Sequence, residues 1–157
     1  MQTMKYASST DVPCDRSELE IKRVVQRYGA WEFISAWRAD RALIGFKFHD
    51  RAVKFDLPLP DRRDVEFTKT PRGRLRCQQA VNESWERACR QRWRALLLVI
   101  KAKLEAVESG ITTFEDEFLA HLVLPTGETI GQCLLPRLEE MKSSRAVLAL
   151  LPAPERK

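Results

Sequence analysis

The strongest constraint on the fold is an apolar pattern that repeats at spacings of three and four from about residue 78 to about residue 109. Its members are Trp85, Cys89, Trp93, Leu96, Leu97, Ile100, Leu104 and Val107. These spacings place side chains on one face of an α-helix, and Gly110 follows as a residue typical of helix ends. The segment therefore predicts one long helix at the centre of the core.

Three short segments rich in aromatic and β-branched residues precede this helix, and they predict strands: AWEFISAWR, RALIGFKFH and RAVKFDLPL. We expect a two-residue turn at His49 and Asp50. That turn pairs Phe48 with Arg51, Phe46 with Val53 and Ile44 with Phe55. The large apolar side chains then share one face, and Lys47, Lys54 and Asp56 point to the other. Helices are therefore expected on one side of the sheet only.

Capping motifs predict the shorter helices. Ser17 and Glu20 predict a helix from about 18 to 28, closed by Gly29. Two more pairs, Thr112 with Glu115 and Thr129 with Gln132, predict two helices after the long one. Because proline disfavours a helix interior, Pro136 is expected at a break or at a new first turn.

Together these elements predict a single α+β domain, a three-stranded antiparallel sheet packed against one long helix and two to three shorter ones. Residues 1–16 are expected to form a loose leader, 17–143 the domain and 144–157 a C-terminal tail. Within the domain, the proline- and charge-rich segment 58–77 is expected to be a long loop.

The location is expected to be the cytoplasm. No stretch approaches the roughly 20 apolar residues that cross a bilayer, and no apolar run follows the first lysine. The four cysteines are scattered without paired spacing: Cys14, Cys77, Cys89 and Cys133. This pattern is typical of a reducing compartment.

Charge is distributed unevenly along the chain. Residues 1–68 carry 12 basic and 11 acidic groups, whereas residues 69–103 carry 10 basic and 2 acidic groups. Residues 104–142 carry 2 basic and 8 acidic groups. The distribution predicts a molecule with a basic surface at one place and an acidic surface at another.

The basic segment supplies the candidate binding residues. In the sequence TKTPRGRLR the cations are Lys69, Arg72, Arg74 and Arg76, and on the following helix Arg87, Arg90, Arg94 and Lys101 recur at spacings of three, four and seven. Arginine donates two hydrogen bonds to a phosphate at once. Loop and helix stripe are expected to form one surface, facing away from Trp85 and Trp93, that contacts DNA or RNA phosphates.

Two alternatives remain open for this surface. The same cations suit an acidic protein partner, as in an inhibitor or adaptor of a host protein. The acidic segment 104–142 could instead fold over the stripe and neutralise it.

The sequence offers little for catalysis, and we predict no catalytic residue, metal ion or cofactor. Neither a Walker loop nor a G-x-G-x-x-G motif is present. His49 is expected to be an exposed turn residue, and His121 an interior one. The run from Glu115 to Glu117 is expected to be a solvated helix start. A metal-dependent nuclease is a further alternative. It is the weaker one, because such enzymes use the order acid-x-Lys, whereas Lys54 and Asp56 stand in the reverse order.

The first strand raises two further possibilities. Trp31, Phe33 and Trp37 alternate on one face and are expected to pack in the core rather than to stack on bases. The segment from Ala30 to Arg38 is expected at the edge of the sheet, where it could pair with a second copy of the chain.

Three segments carry a family resemblance: RYGAWEF, VKFDLPLPD and RQRWRALLLVIKAKLEAVESGITTFEDEFLAHLVLPTGETIG. Over roughly residues 17–135 the chain resembles a family of small uncharacterised proteins encoded by bacteriophages and prophages. That resemblance implies a bacterial cytoplasm and a role in phage DNA metabolism or host takeover. The element order also resembles that of the Rad52-type annealing proteins, as an analogy of fold alone. The leading hypothesis is a non-enzymatic phage-type accessory protein that contacts nucleic acid.

Overall fold

Three antiparallel strands form one sheet in the computed structural model, which describes residues 12–142. They are β1 (Glu32–Trp37), β2 (Arg41–Phe48) and β3 (Arg51–Pro58), in the order β1-β2-β3. The predicted pairs Phe48 with Arg51, Phe46 with Val53 and Ile44 with Phe55 are all present. His49 adopts a φ of 52° in the turn, as a tight hairpin turn requires. The predicted hairpin is confirmed.

The described residues also form five helices and one 3-10 turn. They are α1 (Val12–Arg27), α2 (Val65–Thr68), α3 (Gln78–Glu108), α4 (Phe114–Phe118), the 3-10 turn Leu119–His121 and α5 (Ile130–Lys142). The α+β class and the single long helix are confirmed. Expectations for residues 1–11 and 143–157 lie outside the described residues.

The core lies between one face of the sheet and the helices α1 and α3. Ile21 and Val25 of α1 and Trp93 and Leu97 of α3 are at most 1% exposed. They form one cluster with the inward residues of β2 and β3 and with Phe118 of α4. Alternation along the strands and spacing along the helices therefore meet in a single core.

Helix boundaries differ from expectation at α1. The helix begins at Val12, so Ser17 lies inside it and is not a cap. Pro13 is compatible with a first helical turn, since its missing N–H would have no helical acceptor there. The predicted end is correct: Gly29 has a φ of 99°, and the N–H of Ala30 donates to the carbonyl of Val25 at 2.9 Å.

The two later capping motifs fare differently. α4 is capped by Thr113, one residue after the predicted Thr112, and its hydroxyl accepts from the N–H of Asp116 at 3.1 Å. At α5 the predicted pair is correct, with Thr129 accepting from the N–H of Gln132 at 3.2 Å. The predicted break at Pro136 is absent, because α5 continues through that residue. Pro136 is exposed, so water can hydrate the carbonyl that loses its helical donor.

Within residues 12–142, no helix combines the length and the apolar character needed to cross a membrane.

Candidate nucleic-acid interface

The segment 58–77, expected to be a long loop, contains the four-residue helix α2 and an isolated bridge between Lys69 and Leu75. Phe67 of α2 is 3% exposed, and α2 packs against α3. The indole N–H of Trp85 donates to the carbonyl of Pro60 at 2.8 Å, and the guanidinium of Arg62 lies 4.3 Å from the centre of the Trp85 ring. The sequence pattern does not predict α2, because a four-residue helix with one buried aromatic side chain shows no periodicity. Prolines and charged residues dominate the segment around it.

An ion pair holds the start of this segment. The Arg63 side chain donates to both carboxylate oxygens of Asp61, at 2.7 Å to Oδ2 and 3.1 Å to Oδ1. These bonds, with the Arg63 backbone N–H, lower the pKa of Asp61 to about 2. Arg63 is therefore neutralised locally and adds little to a binding surface.

After α2 the chain forms a small β-hairpin, residues 69–76, called here the basic hairpin. Lys69 pairs with Leu75, and the N–H of Thr70 donates to the carbonyl of Arg74 at 2.8 Å. The N–H of Gly73 donates to the carbonyl of Thr70 at 2.8 Å, and Gly73 has a φ of 77°. This is a three-residue hairpin loop, with proline first and a left-handed glycine last. The letters TPRGR contain the signal for that loop.

The hairpin displays its cations to solvent. Arg74 and Arg76 alternate and so share one face, whereas Arg72 lies at the tip. Among the described residues, the side chains of Lys69, Arg72 and Arg74 form no ion pair, and all three are exposed. Arg76 is half-buried and donates from Nε to the carbonyl of Lys69 at 3.2 Å. No acidic residue occurs between Glu66 and Glu83, so positive charge here is locally uncompensated.

The predicted stripe on α3 is partly neutralised. Arg94 and Lys101 both contact Glu20 of α1, at 3.6 Å and 2.8 Å, and Arg90 lies 3.9 Å from Glu86. The sequence suggested that residues 104–142 could neutralise the stripe. For these three cations that prediction is wrong, because their acidic partners are Glu20 and Glu86. The hydrogen bond from Lys101, with the nearby charge of Arg94, lowers the pKa of Glu20. Arg87 is exposed and forms no ion pair within residues 12–142.

The stripe and the residues at Pro58 lie on different flanks of α3. The stripe contacts α1, whereas Arg92 donates to the carbonyl of Pro58 at 3.2 Å on the side of the 58–68 segment. Residues two apart on a helix differ by about 200° in direction, so Arg92 and Arg94 face different sides. Among the predicted cations, Arg87 and those of the basic hairpin form no ion pair within residues 12–142. The stripe also flanks the core face, because Arg94 follows the buried Trp93 directly.

The polar candidates for catalysis are used structurally. Lys47 pairs with Glu32 at 2.9 Å, Lys54 donates to the carbonyl of Gly127, and Asp56 pairs with Arg41 at 3.0 Å. Within residues 12–142 no three histidine, cysteine or acidic side chains are grouped as metal ligands would be.

The two histidines occupy the predicted kinds of position. His49 is exposed in the turn, and its ring meets that of Phe48 edge-on at 4.4 Å. His121 is half-buried and stacks on Phe55 at 4.0 Å. Burial lowers the pKa of His121, and the charge of Lys103 lowers it further.

The carboxylates at the start of α4 bond to the protein itself. Asp116 accepts from the hydroxyl of Thr113 at 2.7 Å, and Glu117 pairs with Lys103 at 3.1 Å. Glu115 lies 3.9 Å from Arg51. The three side chains take different partners rather than one shared ion.

The aromatic side chains of the first strand are divided between core and surface. Phe33 packs against the core, and Trp37 stacks on buried Trp93 at 4.8 Å. Trp31 is 61% exposed, and Lys47 Nζ lies 5.0 Å from its ring centre. The three do not form a shared stacking platform.

Comparison with known proteins gives no match: no protein-family model, curated protein or solved structure matches this chain.

Proposed function

We propose that this protein binds nucleic acid through the basic hairpin, with Lys69, Arg72 and Arg74 contacting backbone phosphates and Arg76 holding the hairpin in shape. One observation carries the proposal: the three exposed cations have no acidic partner in the described part of the chain. Uncompensated cations release counterions from nucleic acid when they bind phosphate, which favours association.

The fixed shape of the hairpin supports this function. Phe67 is buried beside the first hairpin strand, and the N–H of Arg76 donates to the carbonyl of Thr68 at 2.9 Å. A hairpin ordered before binding loses less conformational entropy in the complex. The cations contact phosphate without contacting base edges, so binding is expected to be independent of sequence.

The biological setting follows from the resemblance to phage and prophage proteins. In this proposal the protein is a non-enzymatic accessory factor that acts on DNA or RNA in the bacterial cytoplasm. A binding role of this kind requires only the exposed cations and the fold that presents them.

The proposal is tested by fluorescence anisotropy with labelled single-stranded DNA, duplex DNA and RNA at about 50 mM and 200 mM salt. The double variant Arg72→Ala with Arg74→Ala should weaken binding at least tenfold and reduce the salt dependence. A matched control, Arg23→Ala with Arg137→Ala, removes the same charge from exposed positions on α1 and α5 and should change affinity much less. Equal losses in both double variants would show a general charge effect and would contradict the assignment.

A second candidate function, binding of an acidic protein, is favoured by Leu75. This side chain is 79% exposed and lies between Arg74 and Arg76. An apolar group beside arginines suits a protein surface, where aliphatic contact adds to charge pairing. Leu75→Ala should leave phosphate binding unchanged, so the variant separates the two candidates once a protein partner is isolated.

A further inference from the structure

We infer that β1 is the contact between two copies of this chain, which pair antiparallel about a two-fold axis at Ser35 and form one six-stranded sheet. The inference is independent of the basic hairpin. Within residues 12–142, β1 has β2 on one side and no strand on the other, so that side is an edge of the sheet. The residues involved are those of β1 with Arg38, and Leu19 of α1.

The hydrogen-bond pattern fixes which backbone groups are open. The N–H of Arg38 donates to the carbonyl of Arg41 at 2.8 Å, so Arg38 belongs to a hydrogen-bonded pair. In an antiparallel ladder such pairs alternate. The N–H and C=O groups of Phe33, Ser35 and Trp37 therefore point away from β2, toward the open edge.

The sequence of β1 is complementary to itself about Ser35. Antiparallel pairing centred on this residue places Phe33 opposite Trp37 of the second copy and Glu32 opposite Arg38 of the second copy. An aromatic pair and an ion pair then occur at each end of the contact. Directly opposed side chains on paired strands lie about 5 Å apart, close enough for both interactions. Charge complementarity therefore favours a second copy in this register.

Two polar groups gain partners in this arrangement. Among the described residues, Arg38 forms no ion pair through its side chain, and the buried Oγ of Ser35 has no hydrogen-bond partner. Pairing brings the two Ser35 residues opposite each other, and rotation about χ1 lets one hydroxyl donate to the other. An unpartnered buried hydroxyl is costly, so this bond favours the pair.

The apolar surface around β1 is also consistent with a covered edge. A groove of about 470 Å³ lies between α1 and β1, lined by Glu18, Leu19, Lys22, Phe33 and Ser35. Leu19 is 47% exposed, Trp37 41% and Ile34 59%. Natural edge strands are commonly protected by lysine or proline, and the residues of β1 include neither. Pairing with a second copy buries this apolar surface, so β1 then needs no lysine or proline to protect its edge.

Sedimentation of the full chain tests the inference. A mass of about twice 18.2 kDa is expected at micromolar concentration. Ser35→Pro removes an N–H that points to the open edge and keeps the ladder to β2, so it should weaken the dimer at least tenfold. Arg38→Glu places two carboxylates opposite each other and should weaken it similarly, whereas Arg38→Lys should preserve it.

Circular dichroism and thermal unfolding establish that each variant is folded. Should Ser35→Pro unfold, Arg38→Glu decides the matter, because Arg38 is exposed and outside the core. A wild-type chain that stays monomeric at high micromolar concentration overturns the inference. A dimer that a folded Arg38→Glu variant leaves unchanged overturns it as well.

Discussion

The Nζ atom of Lys101 donates a 2.8 Å hydrogen bond to Oε1 of Glu20, which joins α3 to α1 across 81 residues of chain. The other carboxylate oxygen of Glu20 lies 3.6 Å from Arg94. One acidic residue therefore partners two of the cations that the sequence assigned to a binding stripe. Arg94 and Lys101 therefore have an acidic partner within the protein. The exposed cations of the basic hairpin have none within residues 12–142.

Replacement of Glu20 by glutamine should release Arg94 and Lys101 for other anions. We expect nucleic-acid affinity at low salt to rise severalfold, because the net positive charge of the stripe then increases by one. The control is Glu18→Gln, which removes the same charge nearby without releasing a stripe cation. Anisotropy titrations that show no gain for Glu20→Gln would place the stripe outside the binding surface.

The stability that the Glu20 contact contributes should also depend on pH. The hydrogen bond from Lys101 holds the pKa of Glu20 below its ordinary value of 4.5. Its contribution to stability is therefore present above that value and is lost as pH falls through the lower folded pKa. In urea unfolding, the wild type should exceed Glu20→Gln in stability at pH 7, and the difference should shrink in acid.

Phe67 should determine whether the basic hairpin is held on α3. Phe67→Ala removes a buried ring, and the expected loss is about 3 kcal/mol of stability for this part of the chain. Val65→Ala is the matched control, because Val65 belongs to the same helix and is 67% exposed; its effect should stay within about 0.5 kcal/mol. Limited proteolysis should cut the 58–77 segment faster in Phe67→Ala than in Val65→Ala. Equal rates would mean that α2 docking does not order the hairpin.

Gly73 should control the shape of the hairpin loop. Its φ of 77° suits glycine, and an added Cβ would meet no heavy atom within 4 Å. The effect of Gly73→Ala is therefore expected from backbone strain alone, at about 1 kcal/mol. Gly73→Asn should be milder, because asparagine tolerates the left-handed region. Nucleic-acid affinity should follow the same order, glycine above asparagine above alanine. Identical affinities would show that loop shape is unimportant for binding.

The sequence predicts those parts of the fold that depend on local pattern. The register of β2 and β3 follows from alternation and a two-residue turn, and both are confirmed. The extent of α3 follows from spacing, which predicts a face of the helix. Spacing does not identify what packs beside that face, so the contact between Glu20 and Lys101 could not be foreseen.

The sequence predicts which cations belong to the candidate site, but not the hairpin conformation that presents them. The cations Arg72 and Arg74 are exposed, as a binding role requires. Their hairpin was missed because a paired segment of this size has too few apolar residues to show alternation. Its glycine after proline was the available signal. Which cations of α3 have an acidic partner depends on which flank of α3 meets α1, a tertiary property.

His121 should give the protein a second pH dependence, below pH 6.5. Burial, with the charge of Lys103, lowers its pKa from the ordinary 6.5. Below 6.5 the unfolded chain binds a proton at this position more readily than the folded protein does. Stability is therefore retained above that value and declines as pH falls through the lower folded pKa.

His121→Phe should remove this decline, since a phenyl ring can still stack on Phe55, where the imidazole now lies 4.0 Å away. The control is His49→Asn, which replaces the turn imidazole with a residue suited to its φ of 52° and should keep the decline. Urea unfolding between pH 7 and pH 5 measures both variants. A decline of the same size in His121→Phe as in the wild type would contradict the assignment to His121.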